Sequence, residues 1–299
     1  AAAGYHEGVF MKRHIDFLES LMQGVFFLCG FVAVAFVLLI MVYLVGSGIP
    51  AIREIGVVDF LFGLVWDPTN KTDPRFGILA LMLTTVCAAV GAAVLGVPVA
   101  FLTALFLAKA APAPLGQIIR GGVKLLAGIP SVVYGLVGMT VLLPAIREHF
   151  GLAVGDSLLA AIIVLAVMIL PVVMTAAETA LSAVPWEYEE ASLALGATEV
   201  ETWWRVSAPA AKNGVAAAVI LGVGRAVGEA MAVLMVAGNV ANMPALLTSV
   251  KSLPTAVAGE LSYASGLQRE ALFSIGLVLF LFIMMINLLL NIVVKKEGE

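Results

Sequence analysis

Residues 24–45 contain no charged, amide or histidine side chain, and a run of that kind constrains a chain more than any motif does. About 20 apolar residues at ~1.5 Å rise cross the ~30 Å hydrocarbon core of a bilayer. Inside that core every backbone N–H and C=O must be paired within the segment, so such a run folds as a helix or as part of a closed barrel. Comparable runs occupy 76–108, 125–146, 157–184, 213–237 and 271–294. None shows the strict alternation of barrel strands. The expected fold class is therefore an all-α integral membrane bundle of six transmembrane helices. Composition agrees: 62% of the residues are apolar and only 12% charged, against about 25% charged in soluble domains, and the mean hydropathy is +1.09. The runs 76–108 and 157–184 exceed what a crossing needs, which implies tilt or extension past the bilayer. Pro98, Pro130 and Pro171 fall within runs, where each removes a backbone hydrogen bond and kinks the helix or marks a place where a helix unwinds around cargo.

Charged residues set the expected orientation. With the N-terminus in the cytoplasm, the inner segments hold Lys12, Arg13, Lys109, Arg120, Lys124, Arg205, Lys212, Lys295 and Lys296. The outer ones hold Arg53, Lys71, Arg75, Arg147, Lys251 and Arg269, so the positive-inside rule favours both termini in the cytoplasm. Two sizeable outer loops follow, near 47–75 and 238–270. The second contains Met243, Leu246, Leu247 and Leu253 and reads either as a gate dipping into the bundle or as a packed interfacial helix. The net charge of −4 favours no nucleic-acid partner. Cys29 and Cys87 lie in apolar runs and read as small hydrophobes, while His6, His14 and His149 lack metal-ligand spacing. Trp66, Trp186, Trp203 and Trp204 fit interfacial anchors, and Asp156-Ser157 fits an N-cap. The Ala1-Ala2-Ala3 start shows neither an initiator Met nor a cleavable signal peptide.

A polar segment interrupts the apolar pattern between the fourth and fifth runs. Glu189 and Glu190 place negative charge early in a short helix, where its dipole favours it. Ala191, Leu193, Ala194 and Leu195 form an apolar knob, Ser192 lies among them, Gly196 can end the helix in a left-handed conformation, and Pro209 restarts the chain. The stretch reads E-A-S-x3-G-x9-V-x-A-P from Glu190 to Pro209. It resembles the EAA signature of bacterial ABC importer permeases, E-A-A-x3-G-x9-I-x-L-P, departing at Ser192, Val206 and Ala208. The resemblance implies a type I (MetI-like) ABC importer permease fold. It also implies that Glu189, Glu190, Ala191, Ser192, Leu195 and Gly196 form a coupling helix docked on a cytoplasmic ATPase.

Two further blocks narrow the resemblance. Residues 224–233 read G-R-A-V-G-E-A-M-A-V, similar to the signature of the C-type permease of the phosphate-specific transport (Pst) system rather than its A-type companion. Residues 128–136 read G-I-P-S-V-V-Y-G-L and resemble a block shared by both types. Trp66-Asp67-Pro68 with Phe76-Gly77 resembles the opening of the family's outer loop. This similarity implies an inner-membrane subunit of a phosphate importer. Its partners would be a second permease (PstA type), two ATPases (PstB type) and an extracytoplasmic phosphate-binding protein (PstS type). No phosphate-cradling G-x4-G-K-[ST] loop occurs, so the chain is expected to be no enzyme and to bind no cofactor, with ATP and Mg on the ATPase. The expected organisation is a cytoplasmic segment 1–23, a first helix and outer loop 24–75, a permease core 76–294 containing the coupling segment 185–212, and a tail 295–299.

The chemistry of the fifth run stands apart from the resemblance. If that run starts near Asn213, Arg225 falls about 18 Å along it, close to mid-membrane, where an arginine costs several kcal/mol unless it faces a polar interior. Glu229 is four residues on, one turn away on the same face, so the pair can partly neutralise itself. The pair then reads either as a packing device or as a transit site, with Arg225 offering planar donors to an oxyanion and Glu229 keeping binding weak. Ser131 and Tyr134, beside Pro130, could add a hydroxyl or a freed backbone N–H. Gly222, Gly224 and Gly228 permit close approach of a neighbouring helix, in this chain or in a second permease. Two other readings stay open: a permease for sulfate or molybdate, and an intramembrane enzyme using Glu229 or Glu178 as acid or base.

Overall fold

The computed structural model describes residues 2–70 and 72–296, with side chains placed at 19, 21–70 and 72–288. Ala1, Lys71 and residues 297–299 lie outside the described residues, and Lys12, Arg13, His6, His14, Lys295 and Lys296 outside the described side chains. Among the described residues nineteen elements follow one another, nearly all helical. In order they begin with α1 (Ala2–Ile55), α2 (Val57–Phe62) and a short hairpin of β1 (Trp66–Asp67) and β2 (Arg75–Phe76). Then come α3 (Leu79–Leu105), which ends in a π-helical turn (Phe106–Ala110), and α4 (Ala113–Gly128). α5 (Ser131–Val137) runs through a second π turn (Gly138–Leu142) into α6 (Leu143–Phe150), and α7 (Leu158–Ser182) follows. A polar excursion holds α8 (Trp186–Ala194), α9 (Glu199–Thr202), a third π turn (Trp203–Ser207) and α10 (Ala208–Ala210). The chain closes with α11 (Lys212–Gly228), α12 (Met231–Val236), α13 (Leu253–Glu260) and α14 (Gly266–Lys296).

Among the described residues five helical stretches are long and apolar enough to cross a membrane: Leu21–Ile55, Leu79–Ala110, Ser131–Phe150, Leu158–Ser182 and Gly266–Leu288. Glu199–Ala210 and Lys212–Gly228, bent by 71° to one another, are long and apolar enough to make a sixth when taken together as one broken span. The packing core is α3, α7 and α11. Ala88, Ala92, Ala100 and Ala104 give α3 a buried small-residue face, and a Cβ at Gly96 would stand 2.9 Å from the Ala166 carbonyl oxygen. Without hydrocarbon side chains in the way the two axes approach closely, which is how membrane helices gain contact when lipid offers no hydrophobic drive. α11 lies against α7 by the same means, a Cβ at Gly222 meeting Val173 and one at Gly214 meeting Ala180. α1 stays peripheral: the most apolar window of its crossing has no residue buried, and it is held to α14 where the Ser274 hydroxyl donates to the Gly48 carbonyl at 2.6 Å.

Three boundaries differ from the expected ones. The first crossing continues through Pro50 to Ile55, so its loop starts at Gly56. The third does not begin at 125. Ile129 and Pro130 are extended, and Pro130 separates α4 from α5 instead of kinking one helix, because proline disfavours helical backbone at the residue before it. The fifth breaks at Glu229, which has φ −74° and ψ 120°.

At the α13 end, Phe60, Trp66, Phe76, Leu81, Leu253 and Leu272 form a second apolar core beneath the hairpin. Trp66, expected as an interfacial anchor, is instead buried, edge-on to Phe76. The loop between the fifth and sixth crossings forms a packed helix there, with Leu253, Pro254, Thr255 and Ala256 buried, while Met243 and Leu246 remain exposed.

Candidate functional site

The Glu190 segment folds as a helix, a left-handed turn and a second helix. Pro185 precedes α8, and Glu187 and Glu189 stand in its first turn. Gly196 takes φ +89°, a conformation costing a side-chain-bearing residue roughly 1–2 kcal/mol. The next helix opens with a reciprocal cap: Thr198 Oγ accepts from the Glu201 N–H at 3.3 Å and Glu201 Oε2 accepts from the Thr198 N–H at 3.0 Å. The turn projects apolar surface. Leu195 is 90% exposed, and Trp186, Tyr188 and Val200 are exposed around it, with Ala191 and Gly196 also on the surface. A large apolar side chain standing that far into solvent marks an interaction surface when neighbours extend it.

The two glutamates part company. Glu190 is exposed and accepts from Trp186 Nε1 at 2.7 Å. Glu189, expected on the same docking surface, is buried, ion-paired with Lys109 and accepting from the Ser207 hydroxyl at 2.9 Å. Its place in α8, one residue before Glu190, turns it about 100° round the helix toward the bundle. Lys109 and Ser207 both lie in π-helical turns, local widenings that often accompany function. Sequence reading missed this junction because Lys109 looks like a lone charge at the end of an apolar run. Ser192 is half-buried and shares a hydrogen bond with Thr202 across the turn, 2.9 Å between oxygens.

The fifth crossing carries the second candidate. Arg225 stands in the last turn of α11, about 20 Å from the start of that helix at Lys212, and is exposed on this chain. The α11 dipole favours a cation at that end. Glu229 lies beyond the helix, and its Oε1 accepts from the Ala232 N–H at 3.1 Å, closing the first turn of α12. The ion pairs among the described residues are Arg75–Asp73, Lys109–Glu189, Arg120–Glu178 and Lys251–Glu260. Arg225 with Glu229 is not one of them. The expected same-face pair fails for a geometric reason: one-turn spacing requires unbroken helix, and the chain unwinds between them.

The break in the third crossing lies nearby. Gly135 lets α5 pack on α12, a Cβ there meeting Ala232 Cα at 3.1 Å, and the Tyr134 hydroxyl donates to the Leu126 carbonyl at 2.7 Å. Packing of α5 on α12 brings together the helices that follow the two interruptions, with Ser131 and Tyr134 on the first and Glu229 capping the second. The glycines divide. Gly222 packs inside the chain against Val173, whereas a Cβ at Gly224 or Gly228 meets nothing within 4 Å.

At the other end Glu260 is a hub that sequence reading did not single out. It accepts from Trp66 Nε1 at 3.2 Å, Lys251 Nζ at 2.5 Å and Gln268 Nε2 at 3.3 Å, tying both loops together. Glu178 is engaged by Arg120 at 2.6 Å. Among the described residues no cluster of three or more His, Cys, Asp or Glu could hold a metal.

Comparison with known proteins fits this geometry. Residues 96–297 match the family of binding-protein-dependent transport system inner membrane components. The chain belongs to that family. As an inner-membrane permease it is 36% identical over 274 residues to the probable ABC transporter permease protein YqgH of Bacillus subtilis, covering 87% of each chain. It is 33% identical to the phosphate transport system permease protein PstC of Pasteurella multocida, over 80% of this chain and 82% of that one. With the PstC of Haemophilus influenzae it shares 32% over 97% and 96%. Its fold is that of the permease in inward-facing MetNI methionine ABC transporter structures, with a TM-score of 0.55 at 22% identity over 74% of this chain and 94% of that one. The type I importer fold and the multi-pass membrane character expected from the sequence are thus the observed ones.

Proposed function

We propose that this permease is the C-type subunit of an ATP-driven importer of inorganic phosphate. The observation that carries the mechanism is Arg225 itself, exposed in the last turn of α11 and midway along the apolar run 213–237. An arginine facing hydrocarbon there costs from about 2.5 kcal/mol to more than 10, so that face of α11 belongs against a polar cavity shared with another subunit. Gly224 and Gly228, open on the same helix, fit a second permease (PstA type) approaching across that cavity. The relatives named as phosphate permeases supply the cargo.

In this reading the α8 end faces the cytoplasm and the α13 end faces outward, where an extracytoplasmic phosphate-binding protein (PstS type) delivers its ligand. Arg225 presents paired N–H donors to the phosphate oxygens. Glu229 repels the dianion and keeps residence short, and Tyr134 and the α5 start at Ser131 line the path. Exposed Leu195, with Glu190, Ala191 and Gly196 around it, docks in an ATPase (PstB type), ATP and Mg being bound there. Glu189 serves as the anchor that carries ATPase motion inward to α3 through Lys109.

The test is uptake by proteoliposomes holding both permeases and the ATPase, with binding protein outside and ATP inside. Labelled phosphate should accumulate and labelled sulfate should not. Uptake of sulfate or molybdate without phosphate overturns the cargo, and turnover of any substrate by this chain alone overturns the permease reading.

A further inference from the structure

A groove runs between α4–α5 and α7, sharing Tyr134 with the path proposed above and the Arg120–Glu178 pair with the α8 end. Near the α8 end it opens into a hollow of about 530 Å³, with Arg120 and Lys124 on the α4 wall and Glu178 and Ser182 on the α7 wall. Toward the other end lies a second hollow of about 430 Å³ whose walls are almost wholly apolar, among them Leu126, Ile129, Val164 and Val167. The two lie in line. Val123 and Leu126 are three apart on α4, and Val167 and Met174 seven apart on α7, spacings that keep side chains on one helical face; Val123 and Met174 floor the charged hollow.

The charged hollow has an excess of one cation. Arg120 gives Nε to Glu178 at 2.6 Å and one terminal nitrogen to the Leu107 carbonyl at 3.0 Å. Lys124, a turn further along the same wall, has no ion pair among the described residues and is exposed. The Thr175 and Thr179 hydroxyls already donate to carbonyls four residues back, which leaves the Lys124 ammonium, the rest of the Arg120 fork and the Ser182 hydroxyl as the donors facing the hollow.

We infer that this groove binds an anionic phospholipid, its phosphoryl group between Lys124 and Arg120 and an acyl chain along Leu126, Ile129 and Val167. From Glu178 to Val167 the groove extends about 17 Å along α7, the reach of a fatty acyl chain. Free inorganic phosphate shares the headgroup chemistry but leaves the apolar half empty. A polar hollow continuing into an apolar one at the membrane boundary matches an amphiphile. The assignment takes the α8 end as cytoplasmic, as in the proposed function, and anionic headgroups are concentrated in that leaflet.

Native mass spectrometry of the full complex in detergent, titrated with phosphatidylglycerol and separately with phosphatidylcholine, tests the assignment without any transport step. Phosphatidylglycerol should bind this subunit at least fivefold more tightly. Lys124→Ala should remove that preference, and Val167→Trp, which fills the apolar hollow, should weaken both lipids. Millimolar inorganic phosphate should not displace the lipid. Displacement would mean a site for phosphate in transit; equal binding of the two lipids, or a groove closed by a helix of the second permease with no lipid retained, would also overturn the inference. A sulfate-specific transporter retaining the lipid would refute the proposed cargo and leave this site standing.

Discussion

The junction of Lys109, Glu189 and Ser207 invites a quantitative test through Lys109→Met. The lysine and glutamate side chains are 9% and 6% exposed. Methionine fills much of the lysine stem's volume but leaves the Glu189 carboxylate with the Ser207 hydroxyl, at 2.9 Å, as its remaining side-chain partner. Removing one member of a buried pair costs about 3–5 kcal/mol, mostly the desolvation of the charge left behind. The loss should appear locally, because α8 touches the bundle chiefly through this junction and the π turn at Trp203–Ser207. Hydrogen exchange of α8 amides in the assembled complex is the assay. At 1.4 kcal/mol per factor of ten, protection of α8 should fall by roughly 10² to 4 × 10³, until opening of the segment is no longer the limiting step. The double change Lys109→Met with Glu189→Leu removes the orphaned charge and should recover most of the protection, since a buried pair replaced by apolar residues is often neutral. A loss below fivefold in the single variant, or no recovery in the double, would falsify the view that this pair anchors the coupling segment.

Other outcomes follow from the same geometry. Gly196→Val should weaken co-purification of the ATPase while leaving the membrane bundle folded, because valine at φ +89° is strained by more than the roughly 1–2 kcal/mol of an unbranched residue. Arg225→Ala should abolish phosphate uptake with all subunits still co-purifying, since no ion pair is lost; failure to assemble would show that Arg225 holds the subunit interface instead. Gly138→Val should destabilise by about 1–3 kcal/mol, read as a lower unfolding midpoint in detergent, because its first carbon would already lie 2.7 Å from Val236 Cγ1 and 3.0 Å from Val164 Cγ2. Glu260→Ala leaves Lys251 and Trp66 without their acceptor, so limited proteolysis should cut the 56–76 loop at a lower protease concentration.

What the sequence revealed depended on whether the cause was local. The crossings at Leu79–Ala110 and Leu158–Ser182 agree with the expected 76–108 and 157–184, since hydrophobic length is a property of the segment itself. Gly196 was legible for the same reason: a glycine after an apolar knob ends a helix. The break at Glu229 was not legible, because Gly-Glu-Ala contains no proline and the apolar pattern resumes at Met231; what unwinds the chain is the carboxylate capping α12. Trp66 was misjudged because the core that buries it draws on Leu253 and Leu272, and its indole N–H on Glu260, all distant in sequence. Glu189 looked like its neighbour Glu190, and only packing against Lys109 and Ser207, distant in sequence, separates an inward anchor from an outward contact.

The exposed face of α11 also governs the supply of this subunit. On the proposed function, a chain inserted without the second permease leaves Arg225 toward lipid, distorting the bilayer or the helix to hydrate the charge, and so remains near the threshold at which membrane proteases remove it. Its steady-state amount is then capped by the amount of the companion, and a cell making the two in unequal numbers keeps only the matched pairs. Production of the isolated chain should give low yields that rise when the companion is co-expressed, with no change in transcript. Assembly thus acts as the stoichiometric control, enforced by one exposed cation.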